Sequence, residues 1–501
     1  MTDQSPKPST AFTQPVSPTG VTDTVEPHAT LTPAATHNLV NLSTQAVSPG
    51  PSTPQVLTPS PNPVGEKSQY LLDVTFDYLA HHLSVIEVVE LTNPGPEAYT
   101  DLAFQVEPND HPGDITFKSI SLADGKGVSG YTLDKNRLNI PLPVPLAPGQ
   151  SSTVNLVYDL YLPAIPPPSD SVRPTIFGYT ANQTNLVDWF PYLPVYQPGQ
   201  GWLIHSPWFY GEHQVYPTAD FEVNLTLANP PGGLVIAAAA PVRVDPAGIQ
   251  HFQLRDARTF AWSASPFYKV SSQKAGVVEV TSYTFPIDQR AGQVALQNTV
   301  DAVTLYSNLF GPYQHTHLTV VEGDFLDGME YDGLFFLSKG FYNLYEGTPK
   351  GYLTVIAVHE TAHQWFFAQV GNDQALEPWL DEAFATYSEK LFYEHTYPDL
   401  VKWWWDFRVN YYSPTSWINQ SIYDFKGFEP YRNAVYLHGA QFIDALRGQI
   451  GDEAFFAFIK DYVSKYQYRI ATRQDFFHLL TSHTQQNLSG LIGTYFVTTQ
   501  P

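Results

Sequence analysis

Val358-His359-Glu360-Thr361-Ala362-His363-Gln364-Trp365 decides the reading of this chain, together with Glu377-Pro378-Trp379-Leu380-Asp381-Glu382-Ala383-Phe384-Ala385-Thr386-Tyr387 further on. The first string contains H-E-x-x-H. On a helix, residues four apart share one face, so His359 and His363 can turn imidazole nitrogens toward one Zn²⁺. Glu360 sits beside them, placed to take a proton from water. A four-coordinate catalytic zinc needs a third protein ligand and an open position. Glu382 is the candidate. The 18 residues between His363 and Glu382 suit the rest of one helix, a reversal around Gly371-Asn372-Asp373, and a second helix starting near Pro378. The alternative is two ordinary core histidines.

Outward from these strings the period of the sequence changes. From Ala291 onward it is helical. Helices are expected over Ala291–Phe310, Gly351–Val370, Pro378–His395, Ala434–Gln449 and Ala454–Lys465, with a strand over Leu318–Glu322. Between Gln69 and Ser272 the pattern is that of strands. Tyr70–Phe76, Leu83–Leu91, Thr153–Tyr161, Phe221–Leu227 and Phe252–Leu254 alternate apolar and polar residues or form short β-branched runs, with Pro, Gly, Asn and Asp between them. The expected architecture is α+β and multidomain, with an all-β saddle or sandwich ahead of an α-rich unit. Residues 1–65 differ again. They hold 12 of the 43 prolines, are rich in Ser and Thr, and carry few charges. Such a stretch is expected to be a disordered tail. The expected divisions are therefore 1–65, 66–275 and 276–501.

Composition excludes several classes. The chain has 501 residues, 25 basic and 48 acidic side chains and a formal charge of −23. That balance argues against binding nucleic-acid phosphates or an anionic membrane surface. There is no cysteine, hence no disulfide, no thiolate catalysis and no Cys-based metal site. No apolar run reaches the 18 residues of a membrane-spanning helix, and the first 30 residues lack a signal-peptide pattern. A Ser/Thr/Pro spacer suits an exported or cell-surface protein whose signal is not visible in this chain, and cytoplasmic residence stays open beside it. No Gly-rich phosphate loop and no Ser/His/Asp arrangement stands out. His81-His82, His315 and His317 read as ordinary surface or core histidines. Of Trp403-Trp404-Trp405, one or two are expected in the core.

H-E-x-x-H-x18-E followed by Trp379-Leu380-Asp381-Glu382-Ala383 resembles the gluzincin zinc aminopeptidases, the membrane alanyl aminopeptidase family that also contains leukotriene A hydrolase. The resemblance implies a thermolysin-like catalytic domain behind a saddle-shaped β-domain, one Zn²⁺ per chain, and peptide substrates with a free N-terminus. It extends to Asp327-Gly328-Met329-Glu330-Tyr331, which is similar to the family's G-x-M-E-N, with Asp327 for the first Gly and Tyr331 for Asn. Met329 is the only internal methionine. By resemblance Gly328, Met329 and Glu330 line the substrate site, and Glu330 takes the α-amine. Tyr436-Leu437-His438-Gly439-Ala440 is similar to Y-x-K-G-A, with His438 for Lys, which makes Tyr436 the oxyanion donor and Tyr431 the alternative. Arg447-Gly448-Gln449-Ile450-Gly451-Asp452-Glu453-Ala454-Phe455 supports that register. In the β-part, Trp189-Phe190-Pro191-Tyr192-Leu193-Pro194 resembles the family's W-x-P stretch. Asn182 and Gln183 occupy the neighbourhood where many members carry a second α-amine contact. A long C-terminal helical domain, usual in the family, has no counterpart before Pro501. The cleft is then expected to be more open, unless a partner or a second copy covers it. An endopeptidase or an epoxide hydrolase on the same zinc site, and a non-catalytic binding module, are the alternatives.

Overall fold

The computed structural model describes residues 67–166, 175–325 and 327–497. The tail expected over residues 1–65 lies outside them.

The first half is built on a seven-stranded sheet of β1 (Ser68–Asp77), β2 (His82–Thr92), β3 (Ile115–Leu122), β4 (Ser151–Tyr161), β5 (Ala219–Ala228), β6 (Arg243–Val244) and β7 (Gln250–Ala257), in the order β6-β7-β5-β1-β2-β4-β3. Alternation sets the register. Tyr70, Leu72, Val74 and Phe76 are buried on one face, and Asp73 and Thr75 are exposed on the other. A slip of one residue would exchange the two sets. β1 pairs antiparallel with β2 and parallel with β5. A three-stranded sheet that includes Tyr99–Gln105 and a four-stranded sheet that includes Thr184–Leu186 and Trp262–Ser265 share the same apolar core. All five strands named from the sequence are present, each longer by a residue or more.

The second half begins with a five-stranded sheet of β8 (Lys269–Ala275), β9 (Val278–Thr284), β10 (His317–Gly323), β11 (Gly328–Tyr331) and β12 (Leu334–Ser338), in the order β8-β9-β10-β12-β11. β11 forms one edge and is antiparallel to β12. Val321, Leu334 and Phe336 of this sheet enter the core of the β-rich half, while Val320, Phe335 and Leu337 enter that of the helices. The longer helices are α1 (Gln289–Phe310), α2 (Tyr352–Ala362), α3 (Trp379–Thr396), α4 (Gly439–Ile450), α5 (Asp452–Tyr466) and α6 (Arg473–His483). α1 is amphipathic. α2 is buried from Leu353 to Ala362 without a break, as befits a central helix.

Two boundaries differ from the reading of the sequence. The helix expected to reach Val370 stops at Ala362, with His363 as its helical cap. Nothing in the apolar run Trp365-Phe366-Phe367-Ala368 stops a helix locally. A residue 109 positions earlier does. The guanidinium of Arg258 is buried and donates to the carbonyls of Phe367, Ala368 and Gln369, and also to those of Tyr216 and Arg469. Those carbonyls are thereby withdrawn from a helical ladder, and Phe367 stands at φ 124°. The helix expected over Ala434–Gln449 opens instead with a π-helical stretch, Asn433–His438, before α4. Such stretches occur often at functional sites, and this one carries Tyr436.

Candidate active site

His359 and Glu360 lie in the last turn of α2, His363 caps it, and Glu382 lies in the first turn of α3. The Nε2 of His359 is 3.2 Å from Glu382 Oε2, and that of His363 is 3.6 Å from the same oxygen. The other ring nitrogens are occupied. His359 Nδ1 donates to Glu389 at 2.9 Å, and His363 Nδ1 donates to Asp381 at 2.6 Å. These carboxylates fix both tautomers and aim the two Nε2 atoms at one point. Glu382 Oε2 is buried and has no hydrogen-bond partner. Three ligand atoms within 4.8 Å of one another, two of them imidazole nitrogens and one an orphaned carboxylate oxygen, fit a divalent cation of zinc's preferences.

Asp381 and Glu389 were not singled out from the sequence, though both were within reach of it. Asp381 adjoins Glu382. Glu389 follows Glu382 by two helical turns on the same face of α3. Glu389 is fully buried and is gripped by Arg408, with contacts of 3.0 to 3.2 Å, and by Trp404 Nε1 at 2.9 Å. Burial pushes its pKa up, but Arg408 and His359 more than offset that and hold it below the usual range. Trp404 is thus the core member of the tryptophan triplet, and Trp403 and Trp405 are partly buried.

Glu360 is 4% exposed, and its Oε2 has no partner. Its other oxygen lies against Gly328: a Cβ there would stand 2.2 Å from Glu360 Oε1. Gly328 therefore serves as the backbone wall behind this carboxylate. Met329 is partly buried against the β-rich core. Glu330 is buried on the edge strand β11, with Gln374 Nε2 at 3.4 Å. One of its oxygens lies within 4.8 Å of ligand atoms of Glu360 and His363. Burial raises the pKa of Glu330, Glu360, Asp381 and Glu382 well above the ordinary carboxyl range, and neighbouring carboxylates add to it.

Tyr436 donates its hydroxyl proton to Glu382 Oε1, and its ring lies 6.0 Å from that of His359 at an interplanar angle of 9°. Tyr431 stands behind it, edge to face at 5.6 Å. Of the two, Tyr436 is the phenol that touches Glu382. Asn182 donates to Asp324, and Gln183 is engaged by Asn185, Tyr268 and the Asp324 backbone. The other histidines stay outside the site. His315 pairs with Asp332 at 2.8 Å, His317 meets Thr319 at 3.0 Å, and His81 stacks on Tyr179.

Comparisons with known proteins agree with this geometry. Residues 294–495 match the Peptidase family M1 domain. Bos taurus endoplasmic reticulum aminopeptidase 2 is 28% identical over 244 residues, 44% of this chain and 25% of its own. Aminopeptidase M1-D of Oryza sativa subsp. japonica is 26% identical over 236 residues, 43% of this chain and 27% of its own. The chain thus spans about a quarter of the length of these relatives. Among solved structures, an M1 zinc metallopeptidase from Deinococcus radiodurans superposes with a TM-score of 0.61 at 18% identity, over 87% of this chain and 94% of that one. No helix among the described residues is long and apolar enough to cross a membrane. Residues 294–495 thus match the Peptidase family M1 domain, and with the β-rich half before them they share the fold of a two-domain M1 zinc metallopeptidase.

Proposed function

We propose that this chain is a zinc-dependent peptidase that removes N-terminal residues from peptides. His359, His363 and Glu382 would hold one Zn²⁺. Bound there, zinc supplies Lewis acidity at the scissile carbonyl and lowers the pKa of water. Glu360 takes the proton of the attacking water and returns it to the leaving amine. Tyr436 turns its hydroxyl from Glu382 to the carbonyl oxygen as charge develops there. Glu330 holds the substrate's ammonium, which places the first peptide bond beside Glu360.

The observation that carries this reading is Glu330. It is a buried carboxylate with no cationic protein partner among the described residues, and it lies beside a metal-type triad. A free peptide N-terminus supplies the missing positive charge, whereas an internal peptide segment does not. A mutant of the Deinococcus enzyme bound to a Tyr-Ser-Ala substrate has the same fold. Within this reading, 66–275 is the β-domain, 276–501 the catalytic domain and 1–65 a tail ahead of both.

The test uses zinc-loaded protein on a short peptide and its N-acetylated twin. Cleavage of the free form alone is expected, together with loss of turnover but not of zinc in Glu360→Gln. Equal cleavage of the twin would refute the exopeptidase register. Full activity in Glu360→Gln would refute the assigned base.

A further inference from the structure

An arginine beside the site is held in place without an acidic partner. Arg432 closes the short helix Phe428–Arg432, four residues ahead of Tyr436, and is partly buried. Its guanidinium carbon lies 4.0 Å from the centre of the Tyr412 ring and 6.0 Å from that of Phe428. Its Nε and Nη2 donate to Asn433 Oδ1 at 3.3 and 3.0 Å. Among the described residues it makes no ion pair: Glu429 on the same short helix is exposed, and Arg408 rather than Arg432 takes Glu389. Burial lowers the Arg432 pKa more than its neighbours raise it. The rings and Asn433 fix the plane of the guanidinium and occupy its Nε side. The end formed by Nη1 and Nη2 keeps its outward donors, and that end matches the two oxygens of a carboxylate.

The direction of a bound peptide follows from two contacts. An oxygen of Glu330 lies within 4.8 Å of ligand atoms of Glu360 and His363. Gly328, two residues earlier on β11, lies against Glu360 and Ile356. Moving along β11 from Glu330 to Gly328 therefore means moving back along α2 from His363 to Ile356. With the amine held at Glu330, the residues after the cleaved bond extend past Gly328 toward the start of α2. Tyr352 stands there, one turn before Ile356 and two before Glu360. The hydroxyls of Tyr352 and Tyr412 are 3.4 Å apart, and Arg432 stacks on Tyr412. Along the helix axis Tyr352 is about 12 Å from Glu360, at roughly 1.5 Å per residue. An extended peptide covers that length in about three residues. The same end of α2 has no side-chain cap, and the positive pole of a helix adds to the attraction for an anion.

We propose that Arg432 binds the C-terminal carboxylate of a short peptide whose N-terminus is held at Glu330, so that substrates with about three residues after the cleaved bond are preferred. The proposal rests on the aminopeptidase reading given above, which sets the direction of the peptide. It adds a length-selecting contact at the opposite end of the substrate.

The test compares Leu-Ala-Ala-Ala with the same peptide carrying a C-terminal amide, on full-length, zinc-loaded protein. The wild type is expected to favour the free acid about 10- to 100-fold in kcat/KM, chiefly through KM. The advantage should vanish for a decapeptide, whose end lies beyond Arg432. Arg432→Gln is expected to cleave the acid no better than the amide, with the rate on the amide unchanged. Arg432→Lys, which keeps the charge but not the fork, is expected to fall between them. Calorimetry with the two peptides on zinc-loaded Glu360→Gln should give the same preference as a difference in Kd. Thermal melting and zinc content are measured on each variant. A wild type that treats acid and amide alike within twofold overturns the proposal and leaves the aminopeptidase reading standing. If Arg432→Gln slows acid and amide equally, with melting and zinc unchanged, Arg432 only positions Tyr436 and the proposal is overturned. If its loss is confined to peptides with Asp or Glu in place of an Ala, Arg432 reads a side chain instead, and the proposal is again overturned. If N-acetylation of the peptide changes nothing, the aminopeptidase reading fails and this proposal falls with it.

Discussion

Gly328→Ala is the substitution whose effect the structure sets most directly. The new Cβ would stand 2.2 Å from Glu360 Oε1 and 2.7 Å from Ile356 Cγ2, where ordinary contact begins at 3.4 Å. The shortfall at the carboxylate is 3.4 − 2.2 = 1.2 Å. Glu360 can yield by swinging its carboxyl group. Ile356 cannot yield as freely, because it sits on the buried helix α2 beside the site. Either the Glu360 carboxylate is displaced by about 1 Å or the edge strand β11 moves outward and takes Glu330 with it. A misplacement of that size costs about 100-fold in rate, or about 2.7 kcal/mol. Forcing a methyl group into a packed wall costs about 1–3 kcal/mol of stability. The assay is kcat/KM on a free N-terminal peptide, with zinc content and urea unfolding measured on the same preparation. Gly448→Ala is the control. It lies in α4 with nothing within 4 Å of its Cβ position, so it should leave activity unchanged and stabilise by about 0.5–1 kcal/mol. A zinc-loaded Gly328→Ala protein within threefold of wild-type kcat/KM would refute the view that Gly328 is the wall behind the carboxylate proposed as the base.

Glu389→Gln should leave Arg408 buried and unpaired, lowering stability by about 3–5 kcal/mol in urea titration and weakening zinc affinity about 10- to 100-fold against a competing chelator. Unchanged affinity would mean that Glu389 does not orient His359. Because the folded protein holds the Glu389 pKa below its ordinary value, its stabilising contribution is complete above about pH 4.3 and is lost as pH falls through the lowered value. Glu322 has the opposite sign. Burial raises its pKa to about 9, so the folded chain keeps a proton that the unfolded chain releases, and stability falls as pH rises from the ordinary carboxyl value toward 9. Glu322→Gln keeps an acceptor for the Phe285 amide and removes the ionisation, so it should stabilise on the order of 3 kcal/mol at pH 7 and flatten the pH profile above 5. A slope equal to that of the wild type would place the titration elsewhere.

Features set by local spacing were legible in the sequence. Strands β1, β2, β4, β5 and β7 follow from alternation, and His359, His363 and Glu382 from one helical turn, one reversal and the start of a second helix. What could not be read depends on residues far apart in the chain. The end of α2 at Ala362 is set by Arg258, whose five carbonyl partners come from three separate segments. Trp404 could not be separated from its two neighbours until Glu389 and Arg408 were placed beside it. The π-helical stretch under Tyr436 has no signature in Asn433-Ala434-Val435.

The carboxylates around the two histidines fall into two groups, and the division follows from which of them the protein itself neutralises. Glu389 has Arg408, and its pKa is held low although it is fully buried. It acts as a fixed anion that positions His359. Glu330, Glu360 and Glu382 are as well buried but have no arginine or lysine, and their pKa values rise. Asp381 stands between the groups: Gln374 and the histidines favour its charge, and Arg258 contributes from further away, yet burial still prevails. Burying three carboxylates without counter-ions opposes folding, because each gives up its hydration or must take up a proton. Stability alone would favour replacing them with apolar side chains of similar size. The structure instead points them into one pocket, where a divalent cation and an ammonium would restore the balance that the protein leaves open.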